Sequence, residues 1–120
     1  MAQILVVDDD PPLQQLLIDV LEDAGHQVRV VPHGAAAMRV LAIEPSDLII
    51  TDIMMPHLDG IGVCAQVQAD PALAHIPSIL ISAGQARPPR DRCHYAAFLA
   101  KPFPLTTLLD TVDAILLEQP

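Results

Sequence analysis

Short hydrophobic runs alternate along the chain with longer stretches in which hydrophobic residues recur every three or four positions. The short runs predict five strands, at residues 4–7, 27–31, 47–51, 78–82 and 96–100. The longer stretches predict amphipathic helices, at about residues 11–24, 34–43, 60–69 and 104–116. Regular alternation of strand and helix predicts a parallel sheet with helices on both faces and right-handed crossovers. The fold class is therefore α/β, a five-stranded doubly wound domain.

The first helix carries its own start and stop signals. Asp10 precedes Pro11, so we expect the Asp10 carboxylate to accept hydrogen bonds at the N-cap, with proline in the first turn. Gly25 follows the last hydrophobic position and is the expected stop, because glycine adopts the left-handed conformation that ends helices.

Composition supports a buried sheet in one domain. The chain has 120 residues, enough for a single domain over residues 1–120 and too few for two. Hydrophobic residues make up 52% and aromatic residues only 2%. The core must then be built from aliphatic side chains, which is typical of parallel sheets covered on both faces.

The charge balance limits the possible partners. Six basic residues against 15 acidic ones give a net charge of −9, which argues against direct binding to nucleic acid or to an anionic membrane. Cys64 and Cys93 have no metal-ligand spacing and are interpreted as free or buried thiols. No basic leader follows Met1 and no hydrophobic run reaches membrane-spanning length, so the sequence predicts a cytoplasmic protein.

Polar residues stand at the carboxyl ends of four predicted strands, where ligands bind in sheets of this kind. Asp8 and Asp9 follow the first strand, Asp52 the third, Ser82 closes the fourth and Lys101 follows the fifth. Clustered carboxylates repel one another, and a hard divalent cation such as Mg²⁺ relieves that repulsion. Each residue alone is commonplace in turns and caps. The coincidence at four separate strand ends favours a binding site that combines Mg²⁺ with a phosphoryl group.

With these residues in place, the chain resembles the response-regulator receiver domains of two-component signalling. The resemblance covers residues 4–117 and rests on the runs 6–9, 49–60, 81–83 and 101–103. Its most specific part is the pattern Asp-x-x-Met-Pro-x-x-Asp-Gly, which begins at Asp52 and ends at Gly60. The resemblance implies a flavodoxin-like sheet with strand order 2-1-3-4-5.

The resemblance also implies roles for the strand-end residues. Asp52 would be the phosphoacceptor. It would bind Mg²⁺ directly together with Asp9 and the backbone carbonyl of Met54, while Asp8 would act mainly through water. The implied cofactor is Mg²⁺ alone.

Two further residues would serve the phosphoryl group. Ser82 would bond it and report its arrival by moving, and Lys101 would pair with another of its oxygens. The peptide bond between Lys101 and Pro102 would be cis, and Asp59 and Gly60 would shape the turn into the third helix.

The implied function is a phosphoacceptor switch and not a metabolic enzyme. Its phosphoryl group would come from a sensor histidine kinase or a phosphotransfer protein. Its output would be a downstream protein or an effector domain outside this chain. One alternative is a phosphorylation-independent interaction module with the same fold. A metal-dependent phosphohydrolase using Asp52 would need a general acid that the sequence does not reveal.

The sequence departs from the family pattern in three places. Phe98 stands where the family often has a tyrosine that swings inward; either a switch or simple core packing fits a phenylalanine there. The interval between Ser82 and Lys101 is short and contains Pro88 and Pro89. We therefore expect the family's fourth helix, which lies between the fourth and fifth strands, to be short, displaced or irregular. The positions two beyond Asp52 and Ser82, occupied by Met54 and Gly84, offer no side chain that orients water, which predicts slow self-dephosphorylation.

Overall fold

The computed structural model describes residues 2–55, 58–83 and 87–118. Its strands are β1 Gln3–Val7, β2 Gln27–Val31, β3 Leu48–Asp52, β4 Ser78–Ala83 and β5 Ala97–Lys101. Its helices are α1 Pro11–Asp23, α2 Gly34–Ile43, α3 Gly60–Ala69 and α4 Leu105–Leu117. All strand pairs are parallel and the sheet order is β2-β1-β3-β4-β5. The predicted doubly wound fold and strand order are confirmed.

The sheet buries side chains on both faces, which explains its continuous hydrophobic runs. Side chains alternate along a strand, so Ile4 and Val6 of β1 pack towards α1 and α4 while Leu5 and Val7 pack towards α2 and α3. All four are at most 1% exposed. Two aliphatic layers therefore fix the sheet and hold the carboxyl ends of its strands in position.

Helix α1 begins at Pro11 after the N-cap residue Asp10 and stops before Gly25, as predicted, but one expected contact at its start is missing. Gly25 has φ of 94°, and the N–H groups of Gly25 and His26 donate to the carbonyls of Glu22 and Leu21, closing the helix. The predicted side-chain cap by Asp10 is wrong, because its carboxylate makes no capping hydrogen bond. Proline at the second helical position has no N–H to offer such a cap.

The described residues between β4 and β5, residues 87–96, contain no helix and are called the 87–96 segment below. Side chains hold it in place. The Tyr95 hydroxyl donates to the Pro88 carbonyl, and the Arg90 guanidinium lies 4.4 Å from the Tyr95 ring centre while its Nε donates to the Tyr95 carbonyl at 3.1 Å. Cys93 is buried in contact with Cys64 of α3. The expectation of irregular chain in place of a regular helix between β4 and β5 is confirmed over these residues.

Two other observations complete the fold. The Lys101–Pro102 peptide bond is cis, as expected. Within residues 2–55, 58–83 and 87–118, no helix is long and hydrophobic enough to cross a membrane. Gly84, and Pro56 within the Asp-x-x-Met-Pro-x-x-Asp-Gly pattern, lie outside the described residues.

Candidate functional site

The carboxyl end of β1 supplies two acids with different surroundings. Asp8 is fully buried; its N–H donates to the Val31 carbonyl at 3.1 Å, and its Oδ1 accepts from the Asp10 N–H at 2.8 Å. Asp8 Oδ2 is buried too, without a hydrogen-bond partner among the described residues. Asp9 is exposed. One carboxylate is therefore fixed inside the sheet edge and the other faces solvent beside it.

Asp52 is the last residue of β3 and lies beside these two acids. It is only 6% exposed, and its Oδ1 accepts from the Met54 N–H at 3.1 Å. One carboxylate oxygen from each of Asp8, Asp9 and Asp52 lies within 4.8 Å of the other two. The structure thus brings together the three acids that the sequence placed at the ends of two different strands.

Lys101, the last residue of β5, is the cation of this cluster. Its Nζ lies 3.2 Å from Asp52 Oδ2 and 3.5 Å from Asp8 Oδ2. Burial alone would lower the pKa of Lys101, but the two carboxylates outweigh burial and raise it. Burial raises the pKa of Asp8, and its hydrogen bond from Asp10 and the charge of Lys101 only partly oppose that rise. The cluster thus sets three carboxylates against one ammonium group.

Ser82 lies on β4 next to the acids. Strand β4 pairs with β3 so that Ile81 lies opposite Asp52, and it pairs with β5 so that Ser82 lies opposite Ala100, one residue before Lys101. The side chain is fully buried, and its Oγ has no hydrogen-bond partner among the described residues. A buried hydroxyl without a partner costs free energy, so this atom is available to a ligand.

The start of α3 closes over the backbone of Asp52. Asp59 is the N-cap, and its Oδ1 accepts from the Gly62 N–H at 2.7 Å, which confirms its expected place in the turn. A Cβ on Gly60 would collide with the Asp52 carbonyl and would lie 2.9 Å from Ile53 Cα. Glycine at this position therefore sets how closely α3 approaches the end of β3.

Phe98 and Met54 lie at the margins of the site. Phe98 is half-buried and packs on a cluster that includes Ile53, Leu80 and Tyr95. Its role as a switch stays a prediction. The Met54 side chain is 59% exposed, and a metal-binding role for the Met54 carbonyl also stays a prediction.

Sequence reasoning missed two groups of contacts. Gln14 of α1 donates from its Nε2 to the Asp8 carbonyl, within the acid cluster. Tyr95 and Arg90 organise the 87–96 segment. No sequence signal marks either group, because glutamine on a helix and arginine in a loop are ordinary surface residues.

The chemistry of the site suits a hard cation together with an anion. Three carboxylates with oxygens within 4.8 Å are the ligands that Mg²⁺ prefers. Asp8 Oδ2 and Ser82 Oγ are buried polar atoms left without hydrogen-bond partners among the described residues. Lys101 and Ser82 can both donate to an oxyanion placed above Asp52. The residues present therefore fit Mg²⁺ and a phosphoryl group.

Comparisons with known proteins agree with this architecture. The family model of the response regulator receiver domain matches residues 4–113. The response regulator receiver protein CpdR of Brucella abortus is 34% identical over 118 residues, covering 98% of each chain. Two other curated relatives are longer, and this chain spans 49% and 48% of their lengths.

Solved structures resemble the chain over nearly its whole length. The signal receiver domain of a histidine kinase from Syntrophus aciditrophicus has a TM-score of 0.88 and 35% identity, covering 97% of this chain and 90% of that one. The receiver domain of the sensor histidine kinase PA1611 from Pseudomonas aeruginosa has a TM-score of 0.86 and 27% identity over 96% and 97% of the two chains. That structure holds a magnesium ion in its active-site cleft. The chain belongs to the response regulator receiver domain family of two-component signalling.

Proposed function

We propose that this receiver domain accepts a phosphoryl group on Asp52 from a phosphohistidine of a sensor histidine kinase or a phosphotransfer protein. The observation that carries the proposal is the position of the Asp52 carboxylate. It lies at the end of β3, held by the Met54 N–H at 3.1 Å and by Lys101 Nζ at 3.2 Å, within reach of two further acids.

In the proposed reaction an Asp52 oxygen attacks phosphorus as the bond from phosphorus to the donor's histidine nitrogen breaks. That nitrogen keeps the bonding electron pair, and with a proton on the other ring nitrogen the histidine leaves as a neutral imidazole. Lys101 moves from its ion pairs with Asp8 and Asp52 to pair with a phosphoryl oxygen, and the Ser82 hydroxyl donates to another. Asp9, Asp52 and the Met54 carbonyl would hold Mg²⁺, with Asp8 acting through water. When bound, Mg²⁺ supplies positive charge that offsets the charge on the phosphoryl oxygens.

The proposed signal starts at Ser82. A hydroxyl without a partner in the resting protein gains one when a phosphoryl group arrives, which favours movement of β4 towards the site. Phe98 lies on β5 with Leu80 as its register partner, so a shift of β4 would reach its ring. The 87–96 segment, between β4 and β5, would then carry the change to a downstream protein or an effector domain.

A surface beside the site supports a protein as phosphoryl donor. A groove of about 250 Å³ borders Lys101 and is lined by hydrophobic side chains that include Leu13, Leu16 and Phe103. Leu16 is 42% exposed. Exposed apolar surface next to a reactive group is typical of docking sites. We expect Leu16→Glu to slow transfer from a phosphorylated histidine phosphotransfer domain and to leave transfer from acetyl phosphate unchanged. Ile43→Glu, at an 86% exposed position on α2, is the matched control.

The central test is phosphorylation itself. The protein is incubated with acetyl phosphate and Mg²⁺, and its intact mass is measured beside those of Asp52→Asn and Asp113→Asn, the second an exposed acid on α4. We expect an acid-labile phosphoryl adduct on the unmodified protein and on Asp113→Asn, and none on Asp52→Asn. Absence of an adduct on the unmodified protein would contradict the proposal and favour a phosphorylation-independent interaction module.

A further inference from the structure

Gln14 is a half-buried residue in the first turns of α1 that reaches back to the acid cluster. Its side-chain Nε2 donates to the carbonyl of Asp8, and its backbone N–H donates to the Asp10 carbonyl at 2.9 Å. Because the Asp8 carbonyl belongs to the peptide unit that joins Asp8 to Asp9, this hydrogen bond fixes the orientation of that unit.

Asp9 has little else to hold it. Its side chain is exposed and makes no hydrogen bond or ion pair within the described parts of the chain. Asp8 differs, since its N–H and its Oδ1 are bound by Val31 and Asp10. The position of the Asp9 carboxylate therefore depends on the backbone between Asp8 and Asp10, and on whatever restrains that backbone.

The cap of α1 does not supply this restraint. The Asp10 side chain makes no capping hydrogen bond, and Pro11 and Pro12 have no backbone N–H with which to bind the turn. Gln14 therefore supplies a side-chain link between α1 and the end of β1, beside the hydrogen bond from the Asp10 N–H to Asp8 Oδ1.

We infer that Gln14 is a positioning residue for Mg²⁺, acting through the Asp8–Asp9 peptide unit to place the Asp9 carboxylate. The inference rests on the proposed Mg²⁺ site. A partner that orients a ligand without binding the metal commonly contributes about tenfold to affinity. Gln14→Met keeps the length and helix propensity of the side chain and removes its donor, so we expect about tenfold weaker Mg²⁺ binding.

Gln15 provides a matched control. It neighbours Gln14 on α1 but is exposed, and its Nε2 donates to Asp19 Oδ1 at 2.8 Å, away from the acids. Isothermal titration of the whole domain with MgCl₂ gives the dissociation constant for each variant, and thermal unfolding without Mg²⁺ shows that each is folded. We expect Gln15→Met to bind Mg²⁺ as the unmodified protein does. Equal weakening by both substitutions would overturn the inference, since it would reflect a general effect on α1.

Two further variants separate positioning from other effects. Gln14→Glu adds a negative charge near the cation, which by itself would tighten Mg²⁺ binding. Weaker binding by this variant, despite that charge, supports the inference that placement of Asp9 is lost. In an Asp9→Ala background we expect Gln14→Met to change residual Mg²⁺ binding by less than about twofold, because its effect passes through Asp9. A full tenfold loss in that background would overturn the inference. If the unmodified protein binds no Mg²⁺, the proposed Mg²⁺ site itself is wrong. If Gln14→Met binds Mg²⁺ as tightly as the unmodified protein does, only the role of Gln14 is wrong.

Discussion

Replacing Gly60 with alanine tests the close approach of α3 to Asp52, the proposed phosphoacceptor. The added Cβ would collide with the Asp52 carbonyl and lie 2.9 Å from Ile53 Cα. These are backbone atoms of the strand end and cannot rotate away. Overpacking of this kind costs about 1–3 kcal/mol, and the gain in helix propensity from alanine returns at most about 1 kcal/mol. We therefore expect a net loss of stability of about 1–2 kcal/mol.

The same collision should disturb the chemistry. Relief of the contact requires α3 or the end of β3 to move, and a misplacement of about 1 Å can reduce a reaction rate roughly a hundredfold. We expect Gly60→Ala to slow phosphorylation of Asp52 by acetyl phosphate by at least tenfold. Urea unfolding gives the stability, and the time course of intact mass gives the rate.

Gly62 is the matched control within the same helix. A Cβ at Gly62 would lie 2.6 Å from Leu58 Cδ1, the end of a flexible side chain that can rotate away. We expect Gly62→Ala to retain the phosphorylation rate and to lose little or no stability. If Gly60→Ala matches Gly62→Ala in both measurements, the close approach of α3 does not constrain Asp52 and the reasoning fails.

Three other predictions concern the charged cluster and its exposure to water. Burial raises the pKa of Asp8 above 3.8, so the ionised carboxyl lowers the free energy of unfolding above its folded pKa. Asp8→Asn should therefore stabilise the metal-free protein by about 1 kcal/mol at pH 7. Urea unfolding should show that this gain vanishes below pH 3.8. Lys101→Met leaves two buried acids without their cation, so it should lower the free energy of unfolding by about 2 kcal/mol without Mg²⁺ and by less with Mg²⁺. An equal loss in both conditions would contradict this. Met54→Asn should orient water and so shorten the lifetime of the phosphoryl group roughly tenfold, as measured by decay of the acid-labile adduct. A lifetime of seconds in the unmodified protein would refute the predicted slow self-dephosphorylation.

The sequence predicted the fold well because burial on both faces gives each strand an unbroken hydrophobic run. Strands 27–31 and 78–82 agree with the observed β2 and β4 to within one residue. The grouping of Asp8, Asp9 and Asp52 also followed, since the carboxyl ends of parallel strands meet at one sheet edge.

Other contacts could not be predicted from the sequence, because they join residues that no hydrophobic pattern links. Asp10 looks like a cap, yet its backbone N–H donates to Asp8 and its carboxylate makes no capping hydrogen bond. The contact between Cys64 and Cys93 depends on how the 87–96 segment lies against α3, which local pattern does not determine.

The side-chain anchoring of the 87–96 segment has an evolutionary consequence. A helix of that length would be held by backbone hydrogen bonds at every turn, so no single side chain would fix its shape. Here the shape depends mainly on Tyr95, Arg90 and the buried Cys93, while Arg87 and Arg92 point to solvent without a partner among the described residues. The outward residues can therefore change, and alter the surface offered to a partner, without disturbing the three anchors or the acid cluster.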